Sequence, residues 1–258
     1  MSEPILEITG LSKRFGGLLA LAEVNFSVPA GVVKSLIGPN GAGKTTLFNL
    51  ITGIFPPTTG EVSFQGKAIT GRAPHQIARL GISRTFQTVE VFGEMSALEN
   101  VMVGQHCRSQ GSLLGSGLRL PSVRRTERRV TKLAMELLEF VGLADRAGQP
   151  ASSLPLGEQK TLEIARALAT EPGLICLDEP AGGLNEQETR QLSQLIRAIL
   201  DRGVTVLLVE HDMSLVMSIS DEIVVLQYGQ KIAEGTPSQI KQDPQVIAAY
   251  LGEDADDA

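Results

Sequence analysis

The stretch Gly38-Pro39-Asn40-Gly41-Ala42-Gly43-Lys44-Thr45-Thr46 constrains this chain more than any other. It has the spacing G-x-x-x-x-G-K-[ST], with Gly38, Gly43, Lys44 and Thr45 at the defining positions. The apolar run 32–37 before it reads as a buried strand, and residues 44–50 read as the first turns of a helix. Strand, glycine-rich turn and helix in that order aim backbone N–H groups and a helix N-terminus at one point, a cradle for a polyphosphate. Glycine suits such a cradle because a loop without side chains can close on its ligand. Lys44 is then expected to hold the β- and γ-phosphates, and the Thr45 hydroxyl to ligate Mg²⁺. A glycine-rich turn that binds nothing is the alternative, and the flanking strand and helix argue against it.

With 258 residues the chain can bury a sizeable core, as one large domain or two small ones. A net charge of −6 argues against nucleic-acid binding through a basic surface. No run approaches the ~18 apolar residues of a membrane-spanning helix, and Met1-Ser2-Glu3-Pro4 lacks the basic and apolar regions of a signal peptide. Cys107 and Cys176 sit in unrelated contexts and suggest no disulfide framework. Cys176, inside an apolar run, reads as a small core residue. The expectation is a cytoplasmic protein whose association with a membrane comes through a partner.

Apolar stretches at 5–8, 21–28 and 62–64 read as strands, the last after the turn Pro56-Pro57-Thr58-Thr59-Gly60. From Leu98 to about Gln149 helical periodicity takes over, with Val130, Leu133, Ala134, Leu137 and Val141 on one face. Strands return at 174–177, 204–209 and 223–226, and Leu192, Leu195, Ile196 and Ile199 mark a helix between the first two. Tyr228-Gly229-Gln230 reads as a turn. Short apolar strands alternating with amphipathic helices predict a parallel α/β sheet covered on both faces. No internal repeat is visible, so one nucleotide-binding unit is expected. The most irregular segment, 109–122, is rich in Gly, Ser and Leu and is followed by Arg124, Arg125, Arg128 and Arg129. A solvated loop and helix face explains it, with a contact surface for an acidic or membrane-proximal partner as the alternative.

Asp178-Glu179 ends the apolar run 174–177. A carboxylate at the end of a buried strand near the phosphate loop is where Mg²⁺ needs a second anchor, and the adjacent Glu179 can take a proton from an attacking water. His211 closes the next apolar run, so parallel neighbours would bring it to the same sheet edge, within reach of the γ-phosphate. Taken alone, His211 reads better as a helix-capping or polar loop residue. His75 and His106 show no metal-ligand spacing.

These motifs together resemble, over essentially the whole length, the ATP-binding subunits of ABC transporters. The resemblance implies an ABC-type P-loop NTPase fold: a mostly parallel RecA-like core sheet, a small antiparallel N-terminal β part and a helical subdomain. It implies a single domain over 1–258, with 1–95 and 160–258 forming the core and β part and 96–159 the helical subdomain. Phe15, in Leu11-Ser12-Lys13-Arg14-Phe15-Gly16-Gly17, matches the aromatic that stacks on adenine; a lone Phe is otherwise core packing. Gln87, in Arg84-Thr85-Phe86-Gln87, matches the Gln that touches Mg²⁺ and the attacking water and begins the segment that senses the membrane subunits. Leu154-Pro155-Leu156-Gly157-Glu158-Gln159, opening a helix expected over 160–169, falls at the family signature, so Gly157 would meet the ATP of a partner subunit. Ala181-Gly182-Gly183-Leu184-Asn185 matches the loop that crosses the dimer interface.

Glu210-His211-Asp212-Met213, the ending Gly235-Thr236-Pro237 with Ala249-Tyr250-Leu251-Gly252-Glu253, and the glycine–serine insertion narrow the resemblance to the ATP-binding subunits of branched-chain amino-acid importers, a group with relatives carrying urea or other small organic solutes. It implies two ATP-binding chains under two membrane permeases at the cytoplasmic face, served by an extracytoplasmic solute-binding protein. The chain departs from the pattern at Pro155 and Leu156, where the signature has Ser and Gly. Pro155 brings neither hydroxyl nor N–H to the partner's γ-phosphate, and Asn185 stands where many relatives have Asp. An asymmetric heterodimer is the expectation, with a homodimer open for the isolated chain. Two other readings are a soluble ABC-type ATPase and an exporter of lipid or polysaccharide. Against the first, no long coiled coil separates Gln87 from Asp178 and only one ATP-binding unit is present; the insertion argues against the second.

Overall fold

A computed structural model describes residues 4–105 and 121–251. His106, Cys107, nearly all of the irregular segment 109–122 and the acidic tail with Glu253, Asp254, Asp256 and Asp257 lie outside the described residues. Two twelve-residue strands open the chain, β1 (Pro4–Phe15) and β2 (Leu18–Pro29). They are longer than the apolar runs 5–8 and 21–28 because many of their residues face solvent, as a sheet wet on one face requires. Next come β3 (Val33–Ile37), α1 (Lys44–Ile51), β4 (Thr59–Phe64), β5 (Lys67–Ala68), α2 (Pro74–Leu80) and β6 (Ile82–Arg84). The middle of the chain holds α3 (Ala97–Gly104), α4 (Pro121–Phe140) and α5 (Leu156–Leu168). β7 (Leu174–Asp178), α6 (Glu186–Asp201), β8 (Thr205–Val209), α7 (Met213–Ile219), β9 (Glu222–Gln227) and β10 (Gln230–Gly235) restore the alternation, and α8 (Pro237–Gln242) and α9 (Pro244–Leu251) end it.

One sheet, ordered β2-β1-β4-β5, is antiparallel. The other, ordered β10-β9-β3-β8-β7-β6, is parallel from β9 to β6 and carries β10 antiparallel at its edge. All residues of β3, β7 and β8 are buried, so successive side chains must feed two different cores. Leu174, Cys176, Leu207 and Val209 pack with α1 and the antiparallel sheet. Ile175, Leu177, Val206 and Leu208 pack with α3, α4, α5 and α6 on the opposite face. Cys176 is wholly buried, and desolvation pushes its thiol up to about 12, so it serves as a core residue.

α3 and α4 pack on each other and on α5, and α5 also meets β6. Ala97 N–H and Leu98 N–H donate to Gln149 and Ala147 carbonyls, which joins the two ends of this region. α5 starts one turn before the expected residue 160 and runs through the expected boundary without a break. Pro155 supplies its N-cap in an extended conformation, which proline's fixed φ allows. Asn185 caps α6: its side chain accepts from Gln187 N–H and Glu188 N–H, and Glu188 accepts from Asn185 N–H. Tyr228 and Gly229 both have positive φ, 48° and 77°, as the two-residue hairpin between β9 and β10 demands. Among the described residues no helix is long and apolar enough to cross a membrane.

Candidate functional site

The loop 38–43 leaves β3 and turns directly into α1. Gly38 has φ 148°, and a Cβ there would lie 2.0 Å from the Leu226 carbonyl oxygen on β9. Gly43, the N-cap of α1, has φ 103°, and its Cβ would stand 2.7 Å from Leu21 Cδ2. The loop is thus wedged against β9 and β2 by contacts that only glycine permits. The first turn of α1 has no acidic residue to offset its positive end. Lys44 is buried and donates to the Gly38 and Pro39 carbonyls at 2.6 and 2.9 Å, folding its amine over the loop. Asn40, Gly41 and Thr45 are exposed, Pro39 and Thr46 are half-buried, and Ala42 is buried beneath.

Asp178 ends β7 at 2% exposure. Its Oδ2 accepts from Arg84 Nη2 at 2.7 Å, while its Oδ1 accepts no hydrogen bond among the described residues. Burial pushes the Asp178 carboxyl up, and the hydrogen bond and charge of Arg84 and the charge of Lys44 oppose that. A buried carboxylate with one oxygen paired and one bare has the donor chemistry that a hard divalent cation such as Mg²⁺ takes. Arg84, at the end of β6, also donates to Asn49 Oδ1 (2.6 Å) and Thr52 Oγ1 (3.1 Å) on the α1 side. Its guanidinium lies between the Phe48 and Phe86 rings, 5.5 and 5.1 Å from their centres.

Beyond Asp178 the chain bends, and Glu179 takes φ 48°, a left-handed conformation uncommon for a non-glycine residue. The Glu179 carboxylate accepts from Gln87 Nε2 at 2.8 Å, and His211 Nδ1 stands 3.6 Å from the same oxygen. Two residues that sequence places far from Glu179 therefore converge on one of its oxygens, because β6, β7 and β8 are parallel neighbours ending at one edge. Phe15 is 41% exposed at the end of β1, with the Phe55 ring edge-on at 5.6 Å and Lys13 Nζ 5.0 Å from its centre. It is a surface aromatic, not a core one. Gly157 lies in the first turn of α5, where a Cβ would meet Glu188 Oε1 at 2.7 Å; it shares a cleft with Pro155, Leu184 and Glu188.

Sequence reasoning did not single out Arg84, Lys160, Glu163 or Glu210, all of which border this site. Glu163 is buried and accepts from Phe86 N–H at 3.2 Å, next to Gln87. Lys160 and Glu210 hold the backbone around Glu179. Only a charged residue at an apolar position marks them in sequence, at the end of an apolar run for Glu210, at the end of a short strand for Arg84 and on the inner face of a helix for Lys160 and Glu163.

The ABC transporter family matches residues 21–182, and the branched-chain amino acid ATP-binding cassette transporter family matches residues 230–256. The chain is 51% identical over 254 residues to the high-affinity branched-chain amino acid transport ATP-binding protein BraF of Pseudomonas aeruginosa, covering 98% of this chain and 100% of that one. It is 47% identical to the corresponding LivG protein of Escherichia coli over the same shares of both chains. Among solved structures, an ATP-binding cassette of an ABC transporter in its ADP conformation aligns with a TM-score of 0.85 and 36% identity, over 97% of this chain and 100% of that one. A strand–loop–helix phosphate cradle, a half-bare carboxylate at the sheet edge and these likenesses lead to one assignment: the chain belongs to the ATP-binding subunits of ABC transporters, in the branched-chain amino acid cassette family, and is an ATPase.

Proposed function

We propose that the chain hydrolyses ATP at a dimer interface to drive branched-chain amino acid import through membrane permeases. The observation that carries the chemistry is the convergence of Gln87 and His211 on the Glu179 carboxylate at the sheet edge that also bears Asp178. Loop backbone N–H groups from Asn40 to Thr46 and the Lys44 amine bind the phosphates, and the exposed face of Phe15 receives the adenine. Thr45, Asp178 and Gln87 are the residues that would hold Mg²⁺, which supplies charge neutralisation at the β- and γ-phosphates. Glu179 orients a water in line with the γ-phosphorus and accepts its proton as the new P–O bond forms and the bond to the β-phosphate oxygen breaks. Gln87 holds the carboxylate in that direction, and His211 stands where the γ-phosphate oxygens gain charge.

Residues 96–159 form the helical subdomain in this reading, and Gly157 at the head of α5 meets the nucleotide of a second ATP-binding chain. The second chain is a heterodimer partner with an intact signature, since Pro155 leaves this chain's signature the poorer half. A groove of about 590 Å³ beside Gln87, lined by Ile54, Phe86, Val91 and Phe92 among others, supports docking of a permease. Phe86 and Phe92 are 44% and 47% exposed there, an apolar patch suited to a partner. Two permeases, with a solute-binding protein on the far side, place the subunit on the cytoplasmic face of the membrane as a peripheral chain. Glu179→Gln is expected to bind ATP normally and lose hydrolysis by about 10²–10⁴-fold; near-normal turnover would remove Glu179 from this role. Captured with Mg-ATP from detergent-solubilised membranes, the same variant should bring two permeases and a second ATP-binding chain, and soluble partners alone would overturn the transport reading.

A further inference from the structure

Lys160 and Glu210 are charged, 8% and 1% exposed, and unused by the chemistry above. Both bind backbone, and the backbone they bind is Glu179-Pro180-Ala181. Lys160 Nζ, reaching from α5, donates to the Glu179 and Pro180 carbonyls at 3.1 Å each. Glu210, the residue after β8, accepts from Ala181 N–H through Oε1 at 2.7 Å. Its other oxygen accepts from His211 N–H at 3.1 Å and meets Asp212 N–H at 3.5 Å. The segment is thus held at its carbonyls by a cation and at its next N–H by a carboxylate that also holds the His211 backbone.

Glu179 needs such a grip. A non-glycine residue at φ 48° persists only where its surroundings over-determine it. Its own N–H donates to Val209 O at 2.9 Å, which leaves the carbonyl side to Lys160 and Gly182 N–H. Pro180 has no N–H to add. Burial lowers the Lys160 pKa, and the charges of Glu210, Glu163 and Glu179 work against that. Glu210 is pushed up by burial and pulled back by its backbone N–H donors and the charge of His211. Each charge is therefore kept buried by backbone contacts and by an opposite charge nearby.

We propose that Lys160 and Glu210 are positioning residues for hydrolysis, a buried clamp that grips Glu179-Pro180-Ala181 from two sides and aims the Glu179 and His211 side chains. The proposal rests on the reading of Glu179 as the group that takes the water proton. Lys160 acts on the Glu179 carbonyl, so its effect on turnover must pass through the carboxylate; Glu210 acts on the backbone of both Glu179's neighbour and His211.

The test uses the assembled transporter carrying Lys160→Met, isosteric Glu210→Gln, Glu179→Gln and the Glu179→Gln/Lys160→Met pair. ATPase kcat and KM are measured beside the affinity for a fluorescent ATP analogue. Lys160→Met and Glu210→Gln are each expected to lower kcat by up to about 10²-fold, the cost of a small misplacement of a catalytic group, with KM and analogue affinity unchanged. In the Glu179→Gln background, Lys160→Met should take nothing further from residual single-turnover hydrolysis. Unchanged kcat in both single variants, a loss of nucleotide affinity that matches the loss of kcat, or a full additional loss in the paired variant would each overturn the clamp. Should Lys160→Met fail to assemble, Glu210→Gln alone decides by the same kcat-against-affinity split. Glu179→Gln separates the two failures: if it keeps its turnover, the reading beneath the clamp has failed, and if it loses turnover while the clamp variants do not, only the clamp has.

Discussion

Replacing Arg84 with Met exposes how the Asp178 carboxylate is kept in the interior. Arg84 and Asp178 are 6% and 2% exposed and meet at 2.7 Å, so water cannot replace either partner. Breaking a buried pair on one side costs about 3–5 kcal/mol, because it leaves an uncompensated charge. Asn49 Oδ1 loses a donor as well, whereas Thr52 keeps its own hydrogen bond to the Phe48 carbonyl at 2.7 Å. Burial already raises the Asp178 carboxyl, and Arg84 opposes that, so Arg84→Met should raise it further. The sign follows: a carboxyl with a folded pKa above its unfolded value contributes stability that is complete below the unfolded value, about 3.9, and is lost as pH rises through the folded one. The deficit of Arg84→Met should therefore be full at neutral pH and shrink on acidification toward pH 4. In an Asp178→Asn background, where Arg84 is already the stranded buried charge, the same substitution should cost close to nothing or even stabilise, since it removes that charge. Urea unfolding of the four proteins across that pH range measures both effects. An equal cost in the two backgrounds, or a deficit independent of pH, would refute the reasoning. The Mg²⁺ concentration needed for half-maximal ATPase should also rise in Arg84→Met, because the cation needs the ionised form.

Two further expectations concern nucleotide contacts. Phe15→Ala removes the exposed ring and should weaken ATP binding by about 1–3 kcal/mol, the usual value of base–aromatic stacking, with little change in kcat at saturating ATP; equilibrium binding of a fluorescent analogue checks it. Pro155→Ser restores a hydroxyl at the head of α5, and one hydrogen bond to a charged group is worth roughly 1.5–3 kcal/mol. ATP affinity at the site shared with the partner should then tighten about tenfold to a hundredfold, and unchanged ATPase and transport in the assembled complex would end the asymmetric-dimer reading.

The phosphate cradle was readable in the sequence because its chemistry is contiguous: glycines, lysine and threonine sit within nine residues, and a strand and a helix of obvious period flank them. Asp178, Glu179 and His211 were readable for a related reason. Parallel strands end at one sheet edge, so a polar residue directly after a buried apolar run is placed by topology alone. The apolar runs that became β7 and β8 likewise announced a sheet covered on both faces. The ends of β1 and β2 were not readable, since half-exposed strand residues carry no apolar signal. Neither was the true start of α5, which a proline N-cap set one turn early. Tertiary structure alone decided the roles of Arg84, Lys160 and Glu210. Each is bound to a segment remote in the chain: Arg84 to Asp178 from β6, Lys160 to the Glu179 and Pro180 carbonyls from α5, and Glu210 to Ala181 N–H from the end of β8. Local sequence specifies a residue's chemistry and its secondary structure, but the partner that makes a buried charge tolerable is supplied only when the sheet brings distant segments together.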